Sequence, residues 1–146
     1  LEDQKYHELI RVTDFYVNAS TGERLCLPLM EFLSSGKPAL APRHTAMLDY
    51  RDDQVARVVD TSEEIACWSH DPAGTLRTRR HRLNWESLME GYRDCYRIAK
   101  KEPGTYRRMS LNAWQRMREF SDTPAVAVQL ERFLAAAAEP AGRGER

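Results

Sequence analysis

The sequence predicts an α/β fold with a small parallel sheet followed by three C-terminal helices. Three short apolar runs, residues 12–18, 38–41 and 55–59, have the composition and the turn boundaries of strands. After residue 84 the apolar side chains recur only at the three- and four-residue spacing of helices. Because parallel strands need helical crossovers, we expect the first two strands to pair in parallel around an intervening helix.

That intervening helix is predicted over residues 27–35. Pro28 stands near its first position, where a missing N–H group costs nothing, and Leu29, Phe32 and Leu33 fall on one face. The helix therefore has one apolar side to bury against the sheet.

A second helix is predicted over residues 61–69. Thr61 or Ser62 can accept a hydrogen bond from its first amides, and Glu63 and Glu64 suit the positive end of a helix.

Three further helices are predicted over residues 84–101, 106–120 and 124–138. The tryptophans lie in helical apolar patterns, so we expect them to pack in the core or between helices. They are Trp68, Trp85 and Trp114.

The chain has 146 residues, the length of one domain, and its 42% hydrophobic and 30% charged residues are ordinary for a soluble protein. We expect residues 1–70 to form the sheet-containing region and residues 71–138 a helical region of the same lobe. Residues 139–146 lack apolar anchors, which predicts a disordered tail. Leu1 is not followed by a secretory pattern, so a cytoplasmic piece of a longer chain is expected.

Charge is balanced over the chain, with 22 basic and 22 acidic residues, but it is uneven along it. The basic block 77–108 has two open interpretations: solvated surface charges, or a non-catalytic docking module for an anionic membrane or nucleic acid. Nucleic acid is the less favoured partner, because consecutive arginines before a helix cannot form one helical stripe. Peripheral contact with the inner face of a membrane remains as the partner for a docking module. Those arginines are Arg77, Arg79, Arg80 and Arg82.

The three cysteines, Cys26, Cys67 and Cys95, are odd in number and widely spaced, which predicts free thiols in a reducing compartment. Cys67 and His70 have the spacing of half a zinc site, but no second pair follows them. We therefore expect no metal, and we expect His70 and His81 to be solvent-exposed.

A loop of small residues follows the first strand and leads into the helix that begins at residue 27. Unpaired N–H groups at such a helix start favour anions, so residues 24–27 are predicted to hold a diphosphate. Glu23 in the loop and Glu31 in the helix are acceptors that would suit sugar and ribose hydroxyl groups at the same pocket. The alternative, in which Glu23 is a turn acid and Glu31 a salt-bridged helix acid, stays open.

The matching segments are Phe15-Tyr16-Val17-Asn18-Ala19-Ser20 with Gly22-Glu23, then Leu27-Pro28-Leu29-Met30-Glu31-Phe32, then Ser35-Gly36-Lys37-Pro38. Together they make the pattern Glu, seven residues, Glu, followed by small-Gly-x-Pro. This pattern resembles the donor-binding half of group 1 (family 4) retaining glycosyltransferases of the GT-B fold. The resemblance implies a Rossmann-like C-terminal lobe, whose partner, the acceptor-binding lobe, would lie upstream of Leu1.

The resemblance also implies roles for individual residues. Glu23 would be a catalytic residue in contact with the donor sugar, and Glu31 would bind the ribose of a nucleotide diphosphate sugar, without a metal or other cofactor. His44 and Thr45, in a second similar loop, would be candidate substrate contacts. The donor-binding residues implied are Glu23, Arg24, Leu25, Cys26, Leu27 and Glu31. Many members have Gly-Phe where this chain has Arg24-Leu25.

Overall fold

The computed structural model describes residues 3–68 and 70–138. The elements follow in the order α1 (Asp3–Val12), β1 (Tyr16–Val17), α2 (Leu27–Ser34), β2 (Ala39–Pro42), a 3-10 turn (Thr45–Asp49), β3 (Ala56–Val59), β4 (Thr61–Cys67), β5 (Arg77–Leu83), α3 (Trp85–Lys101), α4 (Pro103–Ser121) and α5 (Thr123–Ala138).

The sheet predicted from the three apolar runs is confirmed. Strands β1, β2 and β3 lie side by side in that order and all pair in parallel. Tyr16 stands opposite Ala39, and Ala39 stands opposite Ala56. The first strand is shorter than expected, since Val12 ends α1 and only Tyr16–Val17 pairs. The parallel arrangement places the carboxyl ends of all three strands at one edge of the sheet.

Strand β2 is buried on both faces because its successive side chains point to opposite sides. Ala39 and Ala41 pack with Leu33 of α2 and with the buried face of α4. Leu40 packs on the other side with residues of α3. The sheet is therefore a middle layer, with α2 and α4 on one face and α3 on the other.

The predicted helix over residues 61–69 is wrong. Residues Thr61–Cys67 form β4, which pairs antiparallel with β5. Ion pairs from Arg79 to Glu63 and from Arg80 to Glu64 link the two strands. These pairs give the acidic segment a partner that its local sequence does not reveal, and cross-strand charge pairs stabilise strands.

The hairpin changes the second half of the fold as well. Residues 77–83 are a strand, so the helical region expected over 71–138 begins only at Trp85. Between the strands, the carboxylate of Asp71 accepts hydrogen bonds from the N–H groups of Thr75 and Leu76, both at 2.6 Å. These bonds hold the turn of the hairpin, and they hold the pKa of the Asp71 carboxyl below its usual range, the Leu76 bond most of all.

The tryptophans are not core residues, contrary to expectation. Trp68, Trp85 and Trp114 are 47%, 69% and 45% exposed. The interior is filled instead by smaller aliphatic side chains and by Met47, Met117 and Tyr50. The predicted tail, residues 139–146, lies outside the described residues.

Helix α5 packs against α4 and leaves apolar side chains such as Phe133 and Leu134 exposed. Among the helices of residues 3–68 and 70–138, none combines the length and the apolar character needed to cross a membrane.

Candidate functional site

The loops after β1 and β2 meet at the carboxyl edge of the sheet, the position at which open α/β sheets bind ligands. The buried side chain of Asn18 organises the first loop from both ends. Its Oδ1 accepts a hydrogen bond from the N–H of Ser20 at 2.8 Å, and its Nδ2 donates to Sγ of Cys26 at 3.0 Å. The loop is thus tied to the start of α2.

The start of α2 offers free hydrogen-bond donors. Cys26 precedes the helix in the left-handed conformation, with φ of 50°, and Pro28 occupies its first turn. In the described part of the chain, the backbone N–H groups of residues 24–27 have no acceptor. A helix start with unsatisfied amides favours a bound anion.

Five of the six residues implied to bind the donor line one pocket of about 570 Å³. The five are Glu23, Arg24, Leu25, Cys26 and Leu27. Tyr16 and Pro28 complete the lining. Tyr16, to which the sequence resemblance assigns no role, is the last aromatic residue before the loop. Burial, then Cys26 and Glu23 nearby, raise the pKa of its phenol to about 12.

Glu31 lies apart from that pocket. It lines a neighbouring pocket of about 540 Å³ between α1 and α2, and Leu27 belongs to the walls of both. The hydroxyl of Tyr6 donates a hydrogen bond to Oε2 of Glu31. This bond is the main reason that the pKa of Tyr6 rises to about 12. The two acids therefore line adjacent pockets and do not flank a single one.

His44 and Thr45, the candidate substrate contacts, serve the loop that carries Glu23. His44 is only 1% exposed, and its ring nitrogens lie 3.0 Å from the carbonyl oxygen of Ser20 and 3.1 Å from Oγ1 of Thr45. The N–H of Glu23 donates to the same Oγ1 at 3.3 Å. Both ring nitrogens of His44 are thus occupied by protein groups. Burial lowers the pKa of His44 below its ordinary value.

The hairpin contributes to the same edge through His81. Its ring stacks on that of His44, with centroids 4.6 Å apart. The backbone N–H of His81 donates to the carbonyl of Thr21 at 2.7 Å. The expectation of a solvent-exposed His81 is therefore wrong. This contact depends on β5, a strand that the local sequence pattern does not predict.

Arg51 supports the edge from below. The residue is 3% exposed, and its guanidinium donates to the carbonyl oxygens of Ala41 and Pro42 at 2.9 and 3.2 Å. These carbonyls lie at the end of β2, so Arg51 ties the end of this strand to the segment that follows the 3-10 turn. Burial lowers the pKa of this guanidinium.

The described residues contain no cluster of three or more His, Cys, Asp or Glu side chains suited to a metal ion. Cys67 and His70, which have the spacing of half a zinc site, make other contacts: Sγ of Cys67 lies 2.7 Å from Nη1 of Arg77, and His70 packs edge-on against Trp68. All three cysteines are free thiols, and Cys26 and Cys95 are buried.

The basic block is partly neutralised. Besides the two pairs within the hairpin, Arg97 pairs with Asp94 and Glu102, and Lys100 pairs with Asp14 at 2.8 Å. These acidic partners offset part of the positive charge of the block.

Comparison of this chain with protein-family models, with curated proteins and with solved structures finds no match in any of the three.

Proposed function

We propose that this chain is the donor-binding part of a retaining glycosyltransferase that moves a sugar from a nucleotide diphosphate sugar to an acceptor. The observation that carries the proposal is the pocket at the carboxyl edge of a parallel sheet, where Glu23 stands beside the free amides of residues 24–27. The resemblance of residues 15–38 to family 4 glycosyltransferases supports it.

The free amides are suited to the diphosphate. They lie at and just before the positive end of α2, and a diphosphate accumulates negative charge as the bond to the sugar breaks. The exposed guanidinium of Arg24 stands in the same lining and can add a cation. Donors and charge are therefore concentrated where the leaving group would sit.

The two acids suit the hydroxyl groups at the two ends of the donor. Glu23 accepts hydrogen bonds from the transferred sugar, and Glu31 accepts them from the ribose. Leu27 forms a wall of both pockets. An extended nucleotide sugar lying across Leu27 would reach both carboxylates.

The remaining parts of the enzyme belong upstream in this proposal. By the resemblance, the acceptor-binding lobe and the basic residues that neutralise the diphosphate precede Leu1. The described chain supplies the donor site and the hydroxyl acceptors, and no protein nucleophile is assigned.

The test is equilibrium binding of UDP-, GDP- and ADP-sugars to a chain extended upstream of Leu1. We expect one nucleotide to bind, and we expect Glu31→Ala to weaken its binding. Glu90→Ala removes an exposed carboxylate from α3, away from both pockets, and serves as the matched control. Absence of binding for all three nucleotide sugars would overturn the proposal.

A further inference from the structure

Thr45 has an unusual backbone. Its φ is 52°, in the left-handed region, which is unfavourable for a β-branched residue. Within residues 3–68 and 70–138 the other non-glycine residue with positive φ is Cys26, which also lines the Glu23 pocket. Strained backbone of this kind persists where the surrounding structure holds it, and it clusters at functional sites.

The hydrogen bonds around Thr45 have a fixed direction. The carbonyl of Ser20 can only accept, so Nε2 of neutral His44 must carry the proton and donate it. Nδ1 of His44 is then an acceptor, and it receives the hydroxyl proton of Thr45. The oxygen of that hydroxyl keeps its lone pairs for the N–H of Glu23. One chain of bonds therefore runs from Glu23 through Thr45 and His44 to Ser20.

The far end of this chain is rigidly placed. His44 is buried and its ring is stacked on His81, whose N–H holds Thr21. Rotation of the imidazole would break both of its hydrogen bonds. These hydrogen bonds, together with the bond from the backbone N–H of His81 to Thr21, form a brace that holds the loop at residues on both sides of Gly22.

We infer that Thr45 is a positioning residue that fixes Glu23 within the donor pocket, and that its left-handed backbone serves to aim Oγ1 at the Glu23 N–H. The role of Glu23 in this inference rests on the proposed function, whereas the hydrogen bonds that hold Glu23 do not depend on it. The inference assigns to Thr45 and His44 a task different from the substrate contact that the resemblance implies. Neither side chain needs to touch the donor.

The first measurement is amide hydrogen exchange of Glu23 in the chain itself. Thr45→Val keeps the shape of the side chain and removes its hydroxyl, so the Glu23 amide should exchange about tenfold faster, the equivalent of one hydrogen bond. Thr45→Ser should restore protection. The amide of Asn18, which donates to the carbonyl of Leu40, should exchange at the same rate in all variants. Thr123→Val makes the same chemical change at the start of α5 and should leave Glu23 unaffected.

The second measurement is sugar transfer by a chain extended upstream, with the nucleotide sugar identified by binding. Thr45→Val should lower kcat about tenfold and leave the affinity for free nucleotide unchanged, since the nucleotide contacts other groups. In a Glu23→Gln background the same change should cost nothing further, because both act through one side chain.

The outcomes separate the two proposals. Unchanged Glu23 exchange in Thr45→Val, or an unchanged kcat, would overturn the positioning role. A Glu23 amide that is freed in Thr45→Val, in a protein that binds no nucleotide sugar, would uphold the brace and overturn the glycosyltransferase assignment.

Discussion

Tyr6 and Glu31 join α1 to α2 through a single hydrogen bond, 2.5 Å from the phenol oxygen to Oε2 of the carboxylate. One carboxylate oxygen is thus engaged, and Oε1 is left to accept a ligand hydroxyl. The bond also limits the rotation of a side chain that stands on an exposed part of α2.

Tyr6→Phe should therefore weaken nucleotide binding several-fold by releasing the Glu31 side chain, without the larger loss caused by Glu31→Ala. A pre-organised acceptor loses less conformational entropy on binding than a free one. Isothermal titration with the nucleotide of the bound donor measures the change. Tighter binding in Tyr6→Phe would mean that the phenol competes with the ligand.

The same bond predicts a shift in the ionisation of Tyr6. Glu31→Gln removes the charged acceptor, so the pKa of Tyr6 should fall from about 12 toward the ordinary tyrosine value. NMR titration of 13C-labelled tyrosine follows this group, and Tyr106, whose pKa is raised by burial and then by Asp14, is the internal control. A Tyr6 pKa that stays in place would show that the carboxylate does not set it.

The two acids should differ in the kinetic step they affect. Glu31→Ala removes contacts present in both ground and transition states, so nucleotide affinity should fall by about 1–3 kcal/mol, the usual value for hydrogen bonds to a charged group. Glu23→Gln should lower kcat more than it weakens nucleotide binding, because its contact to the sugar matters most as the glycosidic bond breaks. Steady-state kinetics with parallel binding measurements separate these effects. If both variants kept the wild-type kcat and nucleotide affinity, Glu23 and Glu31 would have a structural role only.

Stability should depend on pH through His44. Its pKa is lowered in the folded protein, mainly by burial, so below the ordinary value of about 6.5 the unfolded chain takes up a proton that the folded one does not. The free energy of unfolding should be unaffected by this group above about pH 6.5 and should fall below it, by up to about 1.4 kcal/mol per pH unit.

Urea unfolding between pH 5 and pH 8 measures that slope. His44→Asn should flatten it, whereas His7→Asn, a change at an exposed position on α1, should retain it. Parallel curves for wild type and His44→Asn would contradict the assignment to His44.

Gly91 allows α3 to lie close to the sheet. A Cβ at this position would stand 2.3 Å from Cδ1 of Leu40, a fully buried side chain that would have to shift within a packed core. Gly91→Ala should therefore lower the free energy of unfolding by about 1–3 kcal/mol, the usual cost of overpacking. Gly104→Ala in α4 meets no atom within 4 Å and should be neutral or slightly stabilising. Chemical denaturation of the two variants makes the comparison, and equal stability would show that Leu40 repacks freely.

Short-range patterns were sufficient for the parallel sheet and for α2. The apolar run around Ala39 and Leu40 has no polar face, as expected for a strand covered on both sides. Pro28 and the spacing of Leu29 and Leu33 marked the helix correctly. In each case the decisive information lies within one element and its immediate neighbours.

The hairpin was missed for a physical reason. Thr61 and Ser62 followed by two glutamates satisfy the local rules of a helix start, but the segment finds its hydrogen-bond partners in β5, on the far side of a turn. The antiparallel ladder with β5 overrides the local preference, and the exposed ion pairs to Arg79 and Arg80 add a small contribution. The contact of His81 with His44 could not be foreseen for the same reason, since it exists only after β5 has formed.

The bond between His81 and Thr21 also has a consequence for how the protein folds. The Asp71 turn is local and can close early, whereas joining His81 to Thr21 requires the sheet, the hairpin and the first loop to be in place together. Contacts between segments so distant along the chain carry a large loop-closure cost and form late. The loop that carries Glu23 should thus acquire its final shape among the last events of folding.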